Sequence, residues 1–162
     1  MNSARRFGVK KLVQNDIEEV LRIAEECSLA VWKREDYQAE IERGNSFLAG
    51  VRIDDNLVGF IAVRIYLSET NNNSDYSEAD ILNIGVLESF RGKGIGSLLL
   101  DEFLDKARKL KIRNVWLEVR KSNLEARNFY RRKNFVEIYE RRNFYAQPTD
   151  DAVVMKLEVA KN

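Results

Sequence analysis

The chain is 162 residues long, 44% of its residues are apolar, 33% are charged, and its net charge is +1. These values are typical of a soluble globular protein and predict one domain over residues 1–162. No apolar run approaches the roughly 20 residues that cross a bilayer, and residues 1–16 contain no apolar signal-peptide core. We therefore expect a cytoplasmic protein that has no membrane partner.

The chain contains no histidine and one cysteine, Cys27. Intramolecular disulfides and Ser-His or Cys-His nucleophilic catalysis are therefore excluded, and a zinc site of the ordinary kind is not expected. Any proton transfer must use a carboxylate, a tyrosine, a lysine, a chain terminus or water.

The charge is distributed unevenly along the chain. Residues 1–90 carry 10 Lys and Arg against 16 Asp and Glu, whereas residues 91–162 carry 17 against 10. One interpretation is simply two solvated faces. The other is a basic half for an anionic cofactor and an acidic half for a cationic substrate. Both interpretations stay open at this point.

Hydrophobic periodicity predicts seven strands and four helices, with no repeat and no linker between domains. In chain order, the predicted elements are a strand at 7–13, helices at 16–27 and 30–43, strands at 46–53, 57–67 and 80–86, a helix at 95–111, a strand at 113–120, a helix at 122–133, and strands at 135–142 and 152–159. Strand-helix-strand units stand beside hairpins, so the sheet must be mixed. The fold class is α/β, of the α+β kind.

Turn-forming residues mark the connections. Asp-Asp-Asn at 54–56 predicts a hairpin, and the polar stretch at 68–79 predicts the one mobile loop. Ser122 and Glu125 have the spacing of a capping box at the start of a helix. Asn134 suits the left-handed stop that follows this helix.

The most informative stretch is SFRGKGIGSLLLDEF at 89–103, in which glycines occupy alternate positions from 92 to 96. It matches neither the P-loop G-x-x-x-x-G-K-[ST] nor the dinucleotide fingerprint G-x-G-x-x-G, which leaves a flexible turn or an anion site. Glycines let the backbone approach a ligand, and the following helix adds partial positive charge at its N-terminus. Together with Arg91 and Lys93, they favour a site for a pyrophosphate.

The pattern V-x-x-x-x-R-G-K-G-I-G after a strand resembles the acetyl-CoA-binding motif of the GNAT N-acetyltransferases. The resemblance continues through WLEVRKSNLEARNFYRRKNF and RRNFY to AVVMKL, and it covers residues 7–158, most strongly 80–157. Within the family, the chain most resembles the bacterial enzymes that acetylate the N-terminal residue of a small-subunit ribosomal protein. It implies a mixed, mostly antiparallel seven-stranded sheet, flanked by about four helices and splayed between its central strands.

The resemblance also implies acetyl-CoA as co-substrate and no metal. The pantetheine arm would lie against the strand before the glycine turn, where a freed backbone amide would stabilise an oxyanion. Asn83 and Gly85 are poor strand formers that fit a kink there, and a merely weak strand explains them equally. The implied cofactor-binding residues are Ile84, Gly85, Val86, Arg91, Gly92, Lys93, Gly94, Ile95, Gly96, Asn123 and Tyr130.

Glu118 lies in the middle of a strand, and alternation places it with Trp116 and Arg120 on one face of the sheet. By position alone, such a carboxylate is more often exposed or ion-paired, whereas the resemblance makes it the catalytic base, acting through water. By resemblance, Tyr130 protonates the CoA thiolate. The alternative is that Tyr130 is only a core aromatic residue beside Phe129.

The helix after this strand offers further cofactor contacts by resemblance. Asn123 would hydrogen bond to the pantetheine or to a site water, or it would only cap the helix. The four basic residues of the helix would only complement its dipole, or one of them would reach the 3′-phosphate. They are Arg127, Arg131, Arg132 and Lys133.

The resemblance places two aromatic residues, Trp32 and Tyr145, on the substrate side of the site. The alternative for Trp32 is a packing residue. Phe144 stands where these enzymes have a tyrosine, which leaves the peptide preference open.

Chemistry favours a peptide N-terminus over a lysine as the acetyl acceptor. A carboxylate of ordinary pKa, about 4.3, is a weak base toward an ammonium, so the amine must already be partly free. An α-amine titrates near 7.7–8.0 and a lysine near 10.4, so the neutral amine costs about 3.5 kcal/mol more in lysine. We expect acetyl transfer to the N-terminal α-amine of a protein, by resemblance the alanine of a ribosomal protein, catalysed by a monomer or weak homodimer.

Rival functions remain. A GNAT enzyme that acetylates a small amine, such as a polyamine or an amino sugar, would suit the acidic first half equally. A non-catalytic CoA-binding or interaction module would not need both Glu118 and Tyr130. Nucleic-acid binding by the basic half is a weaker alternative, and we expect no stable nucleic-acid partner.

Overall fold

The computed structural model describes residues 7–68 and 77–159. The chain forms two compact units, each built from two segments. The first unit contains the described residues up to Arg64 together with Asn83–Lys106. The second contains the described residues of Ile65–Leu82 and those from Ala107 onward. A single domain over the whole chain stays a prediction.

The structure contains the expected seven strands and four helices in the expected order. They are β1 (Val9–Lys11), α1 (Ile17–Glu26), α2 (Arg34–Glu42), β2 (Ser46–Ile53), β3 (Asn56–Tyr66), β4 (Ser77–Val86), α3 (Ile95–Lys109), β5 (Ile112–Arg120), α4 (Leu124–Arg132), β6 (Val136–Ala146) and β7 (Thr149–Glu158), with single 3-10 turns at Gln14–Asp16 and Glu88–Phe90. The prediction of element types from periodicity is therefore confirmed.

The strands hydrogen bond in the order β1-β2-β3-β4-β5-β7-β6. The pairs β1–β2, β2–β3, β5–β7 and β6–β7 are antiparallel, whereas β4 and β5 are parallel. The sheet is therefore mixed, as predicted. The β4–β5 pairing runs from Ser77–Ile112 to Ile81–Leu117, so it ends before either strand does.

The first unit buries one face of α1 and most of α3. Ile17, Val20 and Ile23 of α1 are fully buried, at the spacing expected of an amphipathic helix. Phe103 of α3 is also fully buried, and its ring centroid lies 5.6 Å from that of Phe47 on β2. These apolar contacts hold the two helices on their strands.

In the second unit, β5 alternates as its sequence predicts. Val115, Leu117 and Val119 are buried, whereas Glu118 between them is exposed. Tyr130 of α4 is buried, and its ring centroid lies 5.6 Å from that of the buried Phe135. The polar face of β5 is therefore available for chemistry.

The capping box predicted at Ser122 and Glu125 is wrong. Asn123 is the N-cap of α4, and its side-chain oxygen accepts a hydrogen bond from Ala126 N at 3.1 Å. The Ser122 hydroxyl instead donates to Asp150 at 2.6 Å, because an acidic side chain on β7 competes for it. The left-handed stop is confirmed, since Asn134 has a φ of +67°.

Several predicted boundaries also shift. The helix expected at 30–43 begins at Arg34, because the Asp36 carboxylate accepts the Lys33 N–H at 2.7 Å and fixes the start there. The last two strands are longer than predicted and are joined by a tight turn. Of the loop expected at 68–79, residues 77–79 belong to β4 and 69–76 lie outside the described residues.

Two absences concern only the described part of the chain. None of its helices combines the length and the apolar character needed to cross a bilayer. It also contains no group of three or more His, Cys, Asp or Glu side chains arranged to hold a metal ion.

Gly85→Ala is expected to destabilise the protein by about 1–3 kcal/mol, because an added Cβ would overpack the end of β4. That Cβ would lie 3.1 Å from Leu29 Cδ1 and 3.3 Å from both Cys27 Sγ and Ile23 Cγ2. Urea unfolding measures the effect. Gly44→Ala is the matched control, since no described atom beyond its chain neighbours lies within 4 Å of its Cβ position. Equal stabilities of the two variants would contradict the packing role of Gly85.

Candidate active site

The glycine turn follows β4 and leads into α3. Gly92 and Gly94 have φ values of +72° and +80°, a left-handed region that residues with side chains rarely adopt. Apart from chain neighbours, no atom of the described residues lies within 4 Å of a Cβ placed on either glycine. The first N–H groups of α3, which begins at Ile95, have no partner within their helix. Open space, backbone donors and helix charge together fit a diphosphate.

Two cations flank this turn. Arg91 Nε donates to the Val86 carbonyl at 3.0 Å, and Arg91 Nη2 lies 3.7 Å from the Cys27 sulfur. Lys93 Nζ lies 5.0 Å from the centre of the Phe90 ring, a cation–π distance. Arg91 therefore braces the turn against the end of β4, while both cationic side chains stay exposed.

Asn83 and Trp32 both contact Tyr37. Asn83 is buried, and its Nδ2 donates to the Tyr37 hydroxyl at 3.2 Å. Burial raises the pKa of Tyr37 well above its usual value, so this hydroxyl stays neutral. The rings of Trp32 and Tyr37 lie 5.0 Å apart, which supports the packing interpretation of Trp32. β4 is one strand through Ile84–Val86, so Asn83 has a hydrogen-bonding role inside it.

In the second unit, Glu118 forms an ion pair. Its Oε1 lies 2.5 Å from Arg141 Nη1 of β6, and 33% of the Glu118 side chain is exposed. The ion-paired interpretation of this carboxylate is therefore confirmed. Because the second oxygen of a carboxylate can accept further hydrogen bonds, the pairing leaves room for a substrate or a water.

Tyr145 and Phe144 each pack against an arginine. Arg120 lies 4.3 Å from the Tyr145 ring centre, and Arg141 lies 4.4 Å from that of Phe144. Burial, followed by the negative charge of Glu118, raises the pKa of Tyr145 to about 12. The Tyr145 hydroxyl is therefore neutral, and its pKa is raised partly by the nearby negative charge of Glu118.

Tyr130 is 6% exposed and packs edge-on against Phe129, with ring centroids 5.2 Å apart. Burial, and to a smaller extent Tyr145, raises the pKa of Tyr130 well above its usual value. Its core-aromatic role is thus established, and its hydroxyl keeps its proton at neutral pH. A buried neutral hydroxyl can donate a hydrogen bond, whereas its raised pKa opposes the full proton transfer to the thiolate that the resemblance implies.

The remaining predicted contacts on α4 are partly occupied by other groups. The Asn123 oxygen caps the helix, which leaves its amide group as a donor. Arg127 Nε and Arg131 Nη2 lie 3.0 and 2.6 Å from Glu137 Oε1. Arg127 foremost lowers the pKa of Glu137 below its usual value. These two arginines bind β6 to α4 rather than merely complementing the helix dipole.

Sequence reasoning missed the role of Arg141, and an irregularity in β6 explains why. Glu137 pairs with Met155 and Tyr139 with Val154, so one extra residue of β6 is inserted between them. Such a bulge moves every later side chain of the strand to the opposite face. Arg141 therefore lies on the face of Glu118 rather than on that of Glu137.

In the second unit, the charge of Glu118 contributes to the raised pKa of Tyr145, and Tyr145 contributes to that of Tyr130. The first unit separately brings together the glycine turn and the end of β4. A glycine turn before a helix, beside a mixed seven-stranded sheet, is typical of the class of proteins that bind phosphate-containing cofactors. Within that class, the chain matches the Acetyltransferase (GNAT) family over residues 17–135, and it belongs to that family. The chain is therefore an acyltransferase, and the fold implied by resemblance is confirmed.

Relatives in this family share most of the chain. It is 30% identical over 144 residues to the ribosomal protein bS18-alanine N-acetyltransferase of Haemophilus influenzae. This match covers 86% of this chain and 90% of that protein. The structure of Ard1 from Thermoplasma volcanium superimposes on this one with a TM-score of 0.81 at 30% sequence identity. The superposition covers 96% of this chain and 99% of the Ard1 chain. Arabidopsis thaliana Naa50, in complex with the bisubstrate analogue CoA-Ac-MVNAL, has a TM-score of 0.81 at 25% identity and covers 94% of this chain and 98% of its own.

Gly94→Ala is expected to weaken CoA binding by about tenfold or more, because its Cβ would enter the open space beside the turn. The left-handed φ of +80° adds a cost of about 1–2 kcal/mol to folding. Calorimetric titration with CoA measures the first effect and urea unfolding the second. With Gly44→Ala as the control, an unchanged CoA affinity in Gly94→Ala would contradict the diphosphate site.

Proposed function

We propose that the protein transfers an acetyl group from acetyl-CoA to the N-terminal α-amine of a protein. The observation that supports the acetyl donor is the open, left-handed turn at Gly92 and Gly94 before α3. The acceptor is supported by the relatives: one is named as an alanine N-acetyltransferase of ribosomal protein bS18, and another binds a CoA-peptide analogue.

In this proposal, acetyl-CoA supplies the activated acetyl group. The backbone of Gly92–Gly96 holds the diphosphate, with Lys93 as the nearby cation. The backbone of Ile84–Val86 holds the pantetheine, and a free N–H there stabilises the oxyanion. The Asn123 amide donates to the cofactor or to a site water. This assignment needs no metal ion.

Glu118 takes the amine proton through water. The reaction forms an amide C–N bond and breaks the thioester C–S bond, and one amine proton ends on sulfur. Because an α-amine titrates near 7.7–8.0, part of it is already neutral at physiological pH. Glu118 then has to accept only the proton that this neutral amine loses as the C–N bond forms. Tyr145 contacts the peptide in this proposal.

Tyr130 serves as a hydrogen-bond donor to the departing sulfur. A thiol titrates near 8.5 and a tyrosine near 10, and burial raises the pKa of Tyr130 further. Complete proton transfer from Tyr130 to the thiolate would therefore be uphill by about 2 kcal/mol or more. A hydrogen bond avoids this cost, and the amine proton neutralises the sulfur.

The physiological acceptor that we propose is the N-terminal alanine of a ribosomal protein, which the name of the Haemophilus influenzae relative specifies for that enzyme. We propose a cytoplasmic location, which a ribosomal-protein acceptor supports. We further propose that it acts as a monomer or weak homodimer.

An alanine-starting peptide is expected to release CoA from acetyl-CoA at least about tenfold faster than an N-terminally blocked peptide with an internal lysine, since the lysine amine is mostly protonated. Thiol release and mass spectrometry measure both reactions. Equal rates would contradict N-terminal selectivity, and turnover of a free polyamine without peptide activity would favour a small-amine enzyme.

The same assay tests the base. Glu118→Gln is expected to lower kcat by about 10²–10⁴-fold, the usual contribution of a positioned base. Glu140→Gln is a matched control, because Glu140 is also an ion-paired carboxylate, 2.7 Å from Lys121. If both variants kept wild-type turnover, Glu118 would not be the base.

Tyr130→Phe is expected to keep the fold and to lower kcat about tenfold or more, because only the hydrogen bond to the leaving sulfur is lost. The loss should shrink with a thioester whose thiol is more acidic. Tyr66→Phe, at a tyrosine of β3 that is 45% exposed, is the control. A kcat equal to that of the control would leave Tyr130 as a core aromatic residue only.

A further inference from the structure

The Glu118–Arg141 ion pair crosses a whole strand. Glu118 of β5 pairs in register with Val154 of β7, and Arg141 of β6 pairs with Ala152 of β7. Arg141 therefore reaches over β7 to place its Nη1 2.5 Å from Glu118 Oε1. Small side chains at Ala152 and Val154, both buried, leave the space that the arginine crosses.

Phe144 supports the guanidinium from one side, with Arg141 Cζ 4.4 Å from its ring centre. The neighbouring Arg120 is used differently, since its Nη1 donates to the Pro148 carbonyl at 2.8 Å and it stacks on Tyr145. Arg141 is thus the arginine that balances the charge of Glu118.

Stability does not explain this arrangement. The Arg141 and Glu118 side chains are 48% and 33% exposed, and ion pairs this accessible stabilise a protein by about 0–1 kcal/mol. A long arginine that crosses a strand also loses rotamer entropy. Its effect must therefore lie in the electrostatics beside Glu118.

We propose that Arg141 is a positioning residue that neutralises Glu118, so that the site accepts the substrate α-amine in its neutral, reactive form. The inference rests on the proposed function, in which the amine approaches Glu118. A bare carboxylate would bind the ammonium form preferentially and raise the pKa of the bound amine, which would make it a poorer nucleophile. A carboxylate already paired with a guanidinium has little such preference.

Other charged and titratable groups surround Glu118 on the strands next to it. They are Glu78 and Asp80 on β4, Arg120 on β5, Tyr139 and Tyr145 on β6, and Asp150, Lys156 and Glu158 on β7. Lys156 lies over the Trp116 ring and Arg120 is held by the Pro148 carbonyl, so neither is the cation paired with Glu118 in the structure. Removal of Arg141 should therefore expose the charge of Glu118 to the amine.

The test measures binding of an alanine-starting peptide to the CoA-bound protein at about pH 6 and about pH 9, where the α-amine is respectively protonated and neutral. Relative to wild type, Arg141→Gln should favour the protonated peptide by about three- to tenfold. By linkage, the rise of kcat with pH should move upward by about 0.5–1 unit. Arg141→Lys should restore both values.

Arg142→Gln is the matched control, because it removes one exposed positive charge from the adjacent residue of β6 and should behave as wild type. In a Glu118→Gln background, Arg141→Gln should no longer change the preference for the protonated peptide. Persistence of the effect in that background would overturn the proposal, as would an equal effect of Arg142→Gln or identical values for Arg141→Gln and wild type.

The two proposals fail in different ways. Failure of wild-type protein to acetylate any free peptide N-terminus would overturn the proposed function and this inference with it. An active wild type whose pH dependence is unchanged by Arg141→Gln would overturn only the role of Arg141.

Discussion

The structure depends on one backbone constraint, the left-handed conformation of Gly92 and Gly94 at the start of α3. Glycine adopts this conformation without a side-chain clash, and an unsubstituted backbone leaves the space beside the turn open. The constraint is local, because Arg91 ties the turn back to the Val86 carbonyl and the buried face of α3 fixes the helix behind it. The turn can therefore present a rigid set of backbone donors, with the Arg91 side chain holding it against β4.

The absence of histidine limits the chemistry that remains. Glu118 carries charge, whereas Tyr130 and Tyr145 are held neutral by burial. Such a set cannot supply a strong base at neutral pH, so it favours an acceptor that is already partly deprotonated. The preference for an α-amine and the pairing of Glu118 with Arg141 are then two consequences of the same limit.

The sequence predicted the element order, the alternation of β5 and the glycine turn, because each follows from a local pattern. It failed at Ser122, where the Asp150 side chain from a distant strand takes the hydroxyl and leaves Asn123 as the cap. A capping pattern alone could not reveal this competition. The position of Arg141 was likewise unpredictable, since strict alternation would place it on the face of Glu137.

The irregularity of β6 separates two kinds of interaction along one strand. Before the bulge, Glu137 binds Arg127 and Arg131 and so fastens β6 to α4. After it, Arg141 reaches Glu118, and a second irregularity between Arg141 and Tyr145 keeps Tyr145 in register with Asp150 on that face. A regular strand would have placed Arg141 on the face of Glu137 and therefore on the face opposite Glu118. The bulge therefore lets one end of β6 pack against α4 while the other end faces Glu118. It explains how Arg141, on an exposed edge strand, can influence the proposed reaction.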